Sequence, residues 1–144
     1  MKVPGLNDSD IEDLKRQPLV AKIATASKKG NIRITPIWSW PDGDTIMMNT
    51  FEDSRLVRNL RANQKCSLLI DSKEWPYLGV HYRGAATIEG PNNDTDGIAK
   101  AFAKYMNGDI AAATEYAKTL IGWGTRVYIR FKPARSVTWD FRQG

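Results

Sequence analysis

Apolar and polar residues follow two rhythms along this chain, and the points where one gives way to the other outline its elements. Over residues 126–132 the alternation is strict. Val127, Ile129 and Phe131 lie on one side and Arg126, Tyr128, Arg130 and Lys132 on the other, the period of a strand that buries one face. A last strand is predicted after Pro133, containing Val137, Trp139 and Phe141. Nearer the start, residues 19–26 (LVAKIATA) read as a strand that enters a hairpin through SKKGN and bends at Gly30, with residues 32–40 as the return strand. Pro41, Asp42, Gly43 and Asp44 supply the next tight turn, and residues 45–50 (TIMMNT) the third strand. Residues 65–71 and 77–88 return to strand-like composition, with turn signals over 72–76 between them.

Elsewhere the period lengthens to that of a helix. Asp8, Ser9 and Asp10 offer N-caps to a short helix with Ile11 and Leu14 on its apolar stripe, and Pro18 stops it after Gln17. In DSRLVRNLRAN, Leu56 and Leu60 share a face with Val57 beside them while Arg55, Arg58 and Arg61 carry the charge. Residues 95–106, capped by Asp94 or Thr95, and 109–120 are alanine-rich helices that read as a flap against the sheet, with Ile98, Phe102, Tyr105, Tyr116 and Leu120 packing. Mostly antiparallel strands with frequent turns, interrupted by short helices, predict a mainly β chain. A six- or seven-stranded Greek-key barrel fits better than a sandwich, because closure removes exposed edges.

Composition narrows the class. The chain has 144 residues, 42% hydrophobic and 26% charged, which suits one domain over residues 1–144. No run approaches the roughly 18 uncharged apolar residues of a membrane span, and MKVPGLNDSD lacks the charged-then-apolar order of a secretory signal, so a cytoplasmic protein with no membrane partner is expected. One cysteine and one histidine give neither an internal disulfide nor a structural zinc site, and no metal is expected. Cys66, inside the apolar run CSLLI, reads as a core thiol. The net charge of +5 favours anionic partners, whether phosphates, carboxylates, acidic coenzymes or nucleic acid. Nucleic acid is not expected, because the aromatics do not alternate with Lys or Arg along one exposed strand as a stacking platform requires.

The junction NTFEDSRLVRN carries the sharpest chemical signal. Asn49 and Thr50 end a strand, Asp53 or Ser54 caps a helix, and Arg55 falls in the first turn, where the positive end of the macrodipole disfavours a cation. A phosphate held by the free N–H groups of that turn, the hydroxyls of Thr50 and Ser54, and Arg55 with Arg58 resolves the conflict. Pairing of Arg55 with Glu52 or Asp53 is the alternative. In NIRITPIWSW, Arg33, Thr35 and Ile37 point one way and Ile34, Pro36 and Trp38 the other. Pro36 cannot donate to a ladder, which suggests an edge or irregular stretch with backbone groups free for a ligand. Trp38 and Trp40 read first as core or interface aromatics.

Taken in order, ATASKKGNIRITPIW, DGDTIMMNT, SRLVRNLRANQKCSLLID, YLGVHYRGAATIEG and RVYIRFKPARSVTWDF resemble the FMN-binding split β-barrel family of pyridoxamine 5'-phosphate oxidase, including its deazaflavin-dependent relatives. The resemblance implies a homodimer with the cofactor at the subunit interface. Arg33 would make a basic contact and Thr35, Pro36, Ile37 and Trp38 main-chain contacts to the ring. Asn49 and Thr50 would end the next strand, Ser54 and Arg55 would begin the phosphate-binding helix with Arg58 behind them, and Trp139 would pack against the cofactor from the other subunit. The chain also departs from the pattern. Leu56 stands where a lysine often follows Ser-Arg, Asn63 and Gln64 where Asn-Pro usually opens the next strand, and Trp38 where the oxidase has a substrate-binding lysine. The chain stops soon after Trp139, without the Arg and His that clamp pyridoxal phosphate. Oxidation of pyridoxamine phosphate itself is therefore not expected. The expectation is an FMN-binding oxidoreductase that moves hydride to or from a small molecule without needing a side-chain acid or base. A reductase using the deazaflavin coenzyme, whose acidic tail suits Lys28, Lys29, Arg58 and Arg61, and a non-catalytic flavin- or haem-binding protein are the alternatives. His81 and Tyr82 are secondary candidates on opposite faces of one strand, with Tyr77 and Arg83 behind them.

Overall fold

The computed structural model describes residues 3–143. The return strand predicted over residues 32–40 is in fact two strands. β2 (Ile32–Ile37) pairs with β1 (Ala21–Ala26), β3 (Ser39–Asp42) pairs with β4 (Thr45–Phe51), and only Trp38 separates them. The break has a cause on each side. Pro36 has no N–H to extend a ladder, which confines β2 to a sheet edge. Beyond it, the Trp38 ring leaves the sheet to stack on Tyr105 at 4.4 Å. The Tyr105 hydroxyl pins the corner, accepting from the Ser39 N–H at 3.0 Å and donating to the Leu19 carbonyl at 2.7 Å.

From β4 the chain crosses through α2 (Arg55–Ala62) to β5 (Lys65–Asp71), then runs through β6 (Leu78–Glu89) and later β7 (Arg126–Asp140). All pairings are antiparallel in one seven-stranded sheet, in the order β2–β1–β5–β6–β7–β4–β3. The two edge strands are thus neighbours in sequence, and the sheet curls into a half-barrel around the side chains they enclose. The two strands predicted on either side of Pro133 are one strand of 15 residues, and Phe141 lies beyond it in a short 3-10 turn. Continuity survives Pro133 because the register shifts there. Arg83 pairs with Arg135 and Gly84 with Pro133, leaving Ala134 bulged out.

The predicted alternation in the first half of β7 holds, with Val127, Ile129 and Phe131 fully buried. Ile129 and Phe131 join Ile23, Met48, Leu60, Leu68 and Val80 in the barrel core. Cys66 is buried at its margin, and burial pushes its thiol up to about 12.

α1 (Asp8–Arg16) is capped one residue earlier than predicted, by Asn7, whose side chain accepts from the Asp10 N–H. Ser54 rather than Asp53 caps α2, accepting from the Val57 N–H at 3.2 Å. The helix predicted over 95–106 ends early as α3 (Thr95–Phe102), after which Ala103–Met106 tighten into a 3-10 turn that brings Tyr105 onto Trp38. α4 (Ile110–Trp123), capped by Asp109, runs three residues longer than predicted. The two helices share a second core of Ile98, Phe102, Ala113, Ala117 and Leu120, against which Trp38, Trp40, Phe51 and Tyr128 pack from the barrel. Among the described residues no helix is long and apolar enough to cross a membrane.

The bulge needs a glycine. A Cβ at Gly84 would stand 2.2 Å from the Lys132 carbonyl oxygen, a backbone atom that cannot swing away. Gly84→Ala should therefore destabilise the fold by about 1–3 kcal/mol, read as a lower midpoint in urea, whereas Gly122→Ala, where nothing stands in the way, should not.

Candidate functional site

The inward side of β2 and the end of β4 face each other across a recess of about 330 Å³. β2 contributes Thr35, Pro36 and Ile37 with Trp38 at its end, and β4 contributes Asn49, Thr50 and Phe51. Arg126 from β7 lines the recess, and Phe102, Tyr116 and Leu120 from the flap close it. Strand register explains the meeting, because Phe51 lies directly opposite Arg126 and Asn49 opposite Tyr128.

Arg126 is the centre of the polar chemistry. Its side chain is only 4% exposed, with the guanidinium carbon 4.3 Å from the centroid of the Phe51 ring. Nε donates to Asn49 Oδ1 at 2.8 Å and Nη2 to the Asn49 carbonyl at 3.3 Å. Among the described residues no carboxylate pairs with this cation. Burial accordingly lowers its proton affinity from the ordinary arginine value. The contact also fixes the Asn49 amide. Nε can only donate, so Oδ1 must face it and Nδ2 must point away. There Nδ2 finds no hydrogen-bond partner among the described residues, and neither does the Thr35 hydroxyl. Each such buried group left unpaired costs about 1–3 kcal/mol, so two beside an unneutralised cation mark a recess shaped for a polar ligand.

A second hollow of about 380 Å³ continues around the β4–α2 junction, lined by Glu52, Asp53, Ser54, Arg58, Arg61 and Lys28. Lys28 comes from the β1–β2 turn. The pairing of Arg55 with Glu52 or Asp53 is not formed, and among the described residues neither carboxylate pairs with Arg58 or Arg61. Ser54, Arg58, Arg61 and Ala62 recur at the spacing of one helical face, so the hollow runs along one side of α2. The hollow is therefore suited to an anion with several acceptor oxygens, although Glu52 and Asp53 on its rim offset part of its positive potential.

The sequence-predicted residues thus fall into two adjoining groups and three outliers. Thr35, Pro36, Ile37, Trp38, Asn49 and Thr50 line the recess, while Ser54 and Arg58 line the hollow. Thr50 faces the recess. Arg55 is exposed and lines neither. Arg33 is likewise exposed. It lies opposite Thr25, whose hydroxyl accepts from Asn59 of α2, so it sits on the side of the sheet that α2 covers. Trp139 is at the far end of β7 opposite Gly79, with its ring where a Cβ of that glycine would stand. Trp38 lines the recess but packs its ring into the flap, between Tyr105 and Phe102. His81 lies half-buried on the outer face of β6, and Tyr82 is buried on the inner face, its hydroxyl pushed up to about 12 by burial.

Arg126 was missed from sequence, having been read as one of the solvent-side positions of an alternating strand. Its neighbours in sequence carry no hint of burial. The informative fact is that β4 runs antiparallel beside it with Phe51 and Asn49 in reach, which only the folded sheet reveals.

A family model described as pyridoxamine 5'-phosphate oxidase matches residues 8–140. A search of the curated proteins finds no match. Among solved structures, a conserved hypothetical protein from Mycobacterium tuberculosis superposes with a TM-score of 0.80 at 19% identity, covering 98% of this chain and 88% of that one. An F420 reductase gives 0.69 at 22% identity, covering 88% of this chain and 94% of that one. HutZ, a haem storage protein from Vibrio cholerae, gives 0.67 at 13% identity, covering 92% and 93%. At these identities the likeness is one of fold.

Removing an unpaired buried group should cost nothing. Thr35→Val keeps the shape and deletes the orphaned hydroxyl, so its stability to urea should equal or exceed that of the parent by up to about 1 kcal/mol. A loss of more than that would mean the hydroxyl already has a partner within the fold.

Proposed function

Because this chain belongs to the pyridoxamine 5'-phosphate oxidase family, we propose that it is an FMN-binding oxidoreductase acting on a small molecule in the cytoplasm. The observation that carries the reading is the recess itself, where a buried Arg126 and the unpaired atoms of Asn49 and Thr35 lie at the end of β4, with a basic hollow along α2 following in the chain. A molecule with a phosphate at one end and a flat, carbonyl-bearing ring at the other matches that sequence of surfaces. The residues present therefore fit a flavin mononucleotide.

When bound, the cofactor would supply two-electron redox chemistry at its ring. The protein's part is binding, orientation and exclusion of water. Arg58, Arg61 and Lys28 would neutralise the phosphate. Thr35 and Asn49 would bond the polar ring edge, and Phe51, Phe102, Tyr116 and Leu120 would dry the space around it. Oxidation of pyridoxamine phosphate is not part of the proposal, since Trp38 is committed to packing against Tyr105 and Phe102 and offers no charge to a substrate phosphate.

Self-association belongs to the same proposal. Ile34 pairs with Ala24 and shares the outer face of the sheet, as does Val137 opposite His81, yet these aliphatics are 68% and 64% exposed. Ile32 on that face is 71% exposed. Apolar positions left this open on β2 and β7, on one face of the sheet, suit burial against a second copy. In such a dimer Trp139 would be available to the partner's site.

Two other cofactors have support of their own. The deazaflavin coenzyme F420 would place its acidic tail near Lys28, Arg58 and Arg61, and one structural neighbour is an F420 reductase. Haem has a different observation behind it. A groove of about 1020 Å³ has Ala24, Ala26 and Ala85 in its floor and Lys65, Arg83, Lys132 and Arg135 around it, a pattern suited to a broad apolar molecule with acid groups.

Titration by flavin fluorescence tests the FMN reading. FMN should bind the parent stoichiometrically and Arg58→Ala/Arg61→Ala about 10- to 100-fold more weakly, whereas riboflavin, lacking the phosphate, should bind both alike. Equal FMN affinities would remove the phosphate assignment, and stoichiometric haem binding without FMN binding would replace the proposal with the haem reading. Sedimentation should show a dimer that Ile34→Lys/Val137→Lys converts to monomer; a monomeric parent would dismiss the interface.

A further inference from the structure

The flavin reading leaves one feature unexplained, namely why the cation in the recess is buried. Arg58 and Arg61 at the hollow are exposed and cheap to keep charged, whereas Arg126 is desolvated with no carboxylate among the described residues paired to it. Nature of the ligand decides what such a charge can do. A phosphate carries the same charge whatever the redox state of the ring attached to it. Cations that hold the phosphate therefore bind oxidised and reduced cofactor equally, and change neither relative to the other. The ring differs. Reduction by two electrons and one proton leaves it with one added negative charge, spread over its pyrimidine carbonyl end.

That end is the one the recess selects. With the phosphate at Arg58 and Arg61, the ring would lie toward Thr50 and Asn49. Asn49 Nδ2, the Thr35 hydroxyl and the guanidinium would satisfy the polar edge, whereas the apolar edge in that place would leave all three unpaired. The low-dielectric surroundings of Phe51, Phe102 and Leu120 lengthen the reach of the charge.

Resting on the flavin reading, we infer that Arg126 binds the reduced cofactor in preference to the oxidised one and so raises the reduction potential of the bound flavin. Asn49 is a positioning residue in this arrangement. Its side-chain and main-chain oxygens hold two guanidinium nitrogens, at 2.8 and 3.3 Å, so that the planar cation is presented edge-on with Nη1 left for the ligand.

The test measures dissociation constants of FMN in both redox states, under anaerobic conditions with dithionite as the electron source. The proteins are the parent, Arg126→Gln, Arg126→Lys and Arg58→Ala/Arg61→Ala. The parent should bind reduced FMN at least tenfold more tightly than oxidised FMN. Arg126→Gln should reduce that ratio at least tenfold, equivalent to about 30 mV for a two-electron couple, and Arg126→Lys should recover part of it. Arg58→Ala/Arg61→Ala should weaken both states and leave the ratio alone. An unchanged ratio in Arg126→Gln overturns the inference while the flavin reading stands, and failure of the parent to bind FMN overturns both. Should Arg126→Gln not fold, sulfite gives the answer on the parent. The sulfite lone pair forms a bond to the flavin ring nitrogen and leaves the same negative charge on the ring, so bound FMN should take up sulfite at least tenfold more tightly than free FMN. Equal or weaker uptake overturns the inference.

Discussion

A sheet whose first and last strands are separated by a single residue cannot remain flat. β2 and β3 lie at opposite ends of the strand order, yet Trp38 alone joins them, so the sheet must curl until both edges meet at that residue. The two edges meet without pairing, so the curl leaves a gap between them rather than a closed ladder. Curling also decides where ligands can go. The curl brings the inward side of β2 opposite the end of β4, and the gap between them is the recess that holds Thr35, Asn49 and Arg126. The corner is held by Tyr105, whose ring stacks on Trp38 and whose hydroxyl ties Ser39 to Leu19, so the flap and the barrel closure depend on each other.

Much of this was legible in the chain. Period-two alternation located the buried face of β7, the helical stripe located α2, and Pro36 marked an edge strand, because each depends on residues within one element. What was not legible depended on contacts between elements. The break at Trp38 needs Tyr105, some 67 residues away in sequence. The continuity of β7 through Pro133 needs Gly84 on another strand. Asn7 displaced three good candidates as the cap of α1 because a shift of one residue costs little when the whole segment is rich in cap formers. For the site, the backbone run Thr35–Trp38 and the junction Asn49–Ser54 could be found from order and residue type. Arg126 could not. An arginine at the start of an alternating strand carries the same local signature whether water or Phe51 lies against it.

The charges divide into two kinds with different physical meaning. Arg58, Arg61 and Lys28 surround a surface hollow, where solvent screens them and a ligand has only to displace water. Arg126 is built into the wall, its cost shared by two oxygens of one asparagine and the face of one phenylalanine. A fold under pressure for stability alone would pair that guanidinium with a carboxylate or replace it with an apolar side chain. Its retention beside two orphaned polar atoms places the molecular strain where a ligand would relieve it, in keeping with the general finding that sites of function are sites of incomplete satisfaction.

The barrel and the flap each have a hydrophobic core of their own, touching through Trp38, Trp40, Phe51 and Tyr128. Two cores with so narrow a seam are mutationally semi-independent. Substitutions in α3 and α4 can accumulate without disturbing the strands that carry Thr35, Asn49 and Arg126, provided the aromatic seam is kept. Lineages built on this plan could therefore exchange the roof over a constant floor, and diverge in what they admit long before they diverge in how they fold.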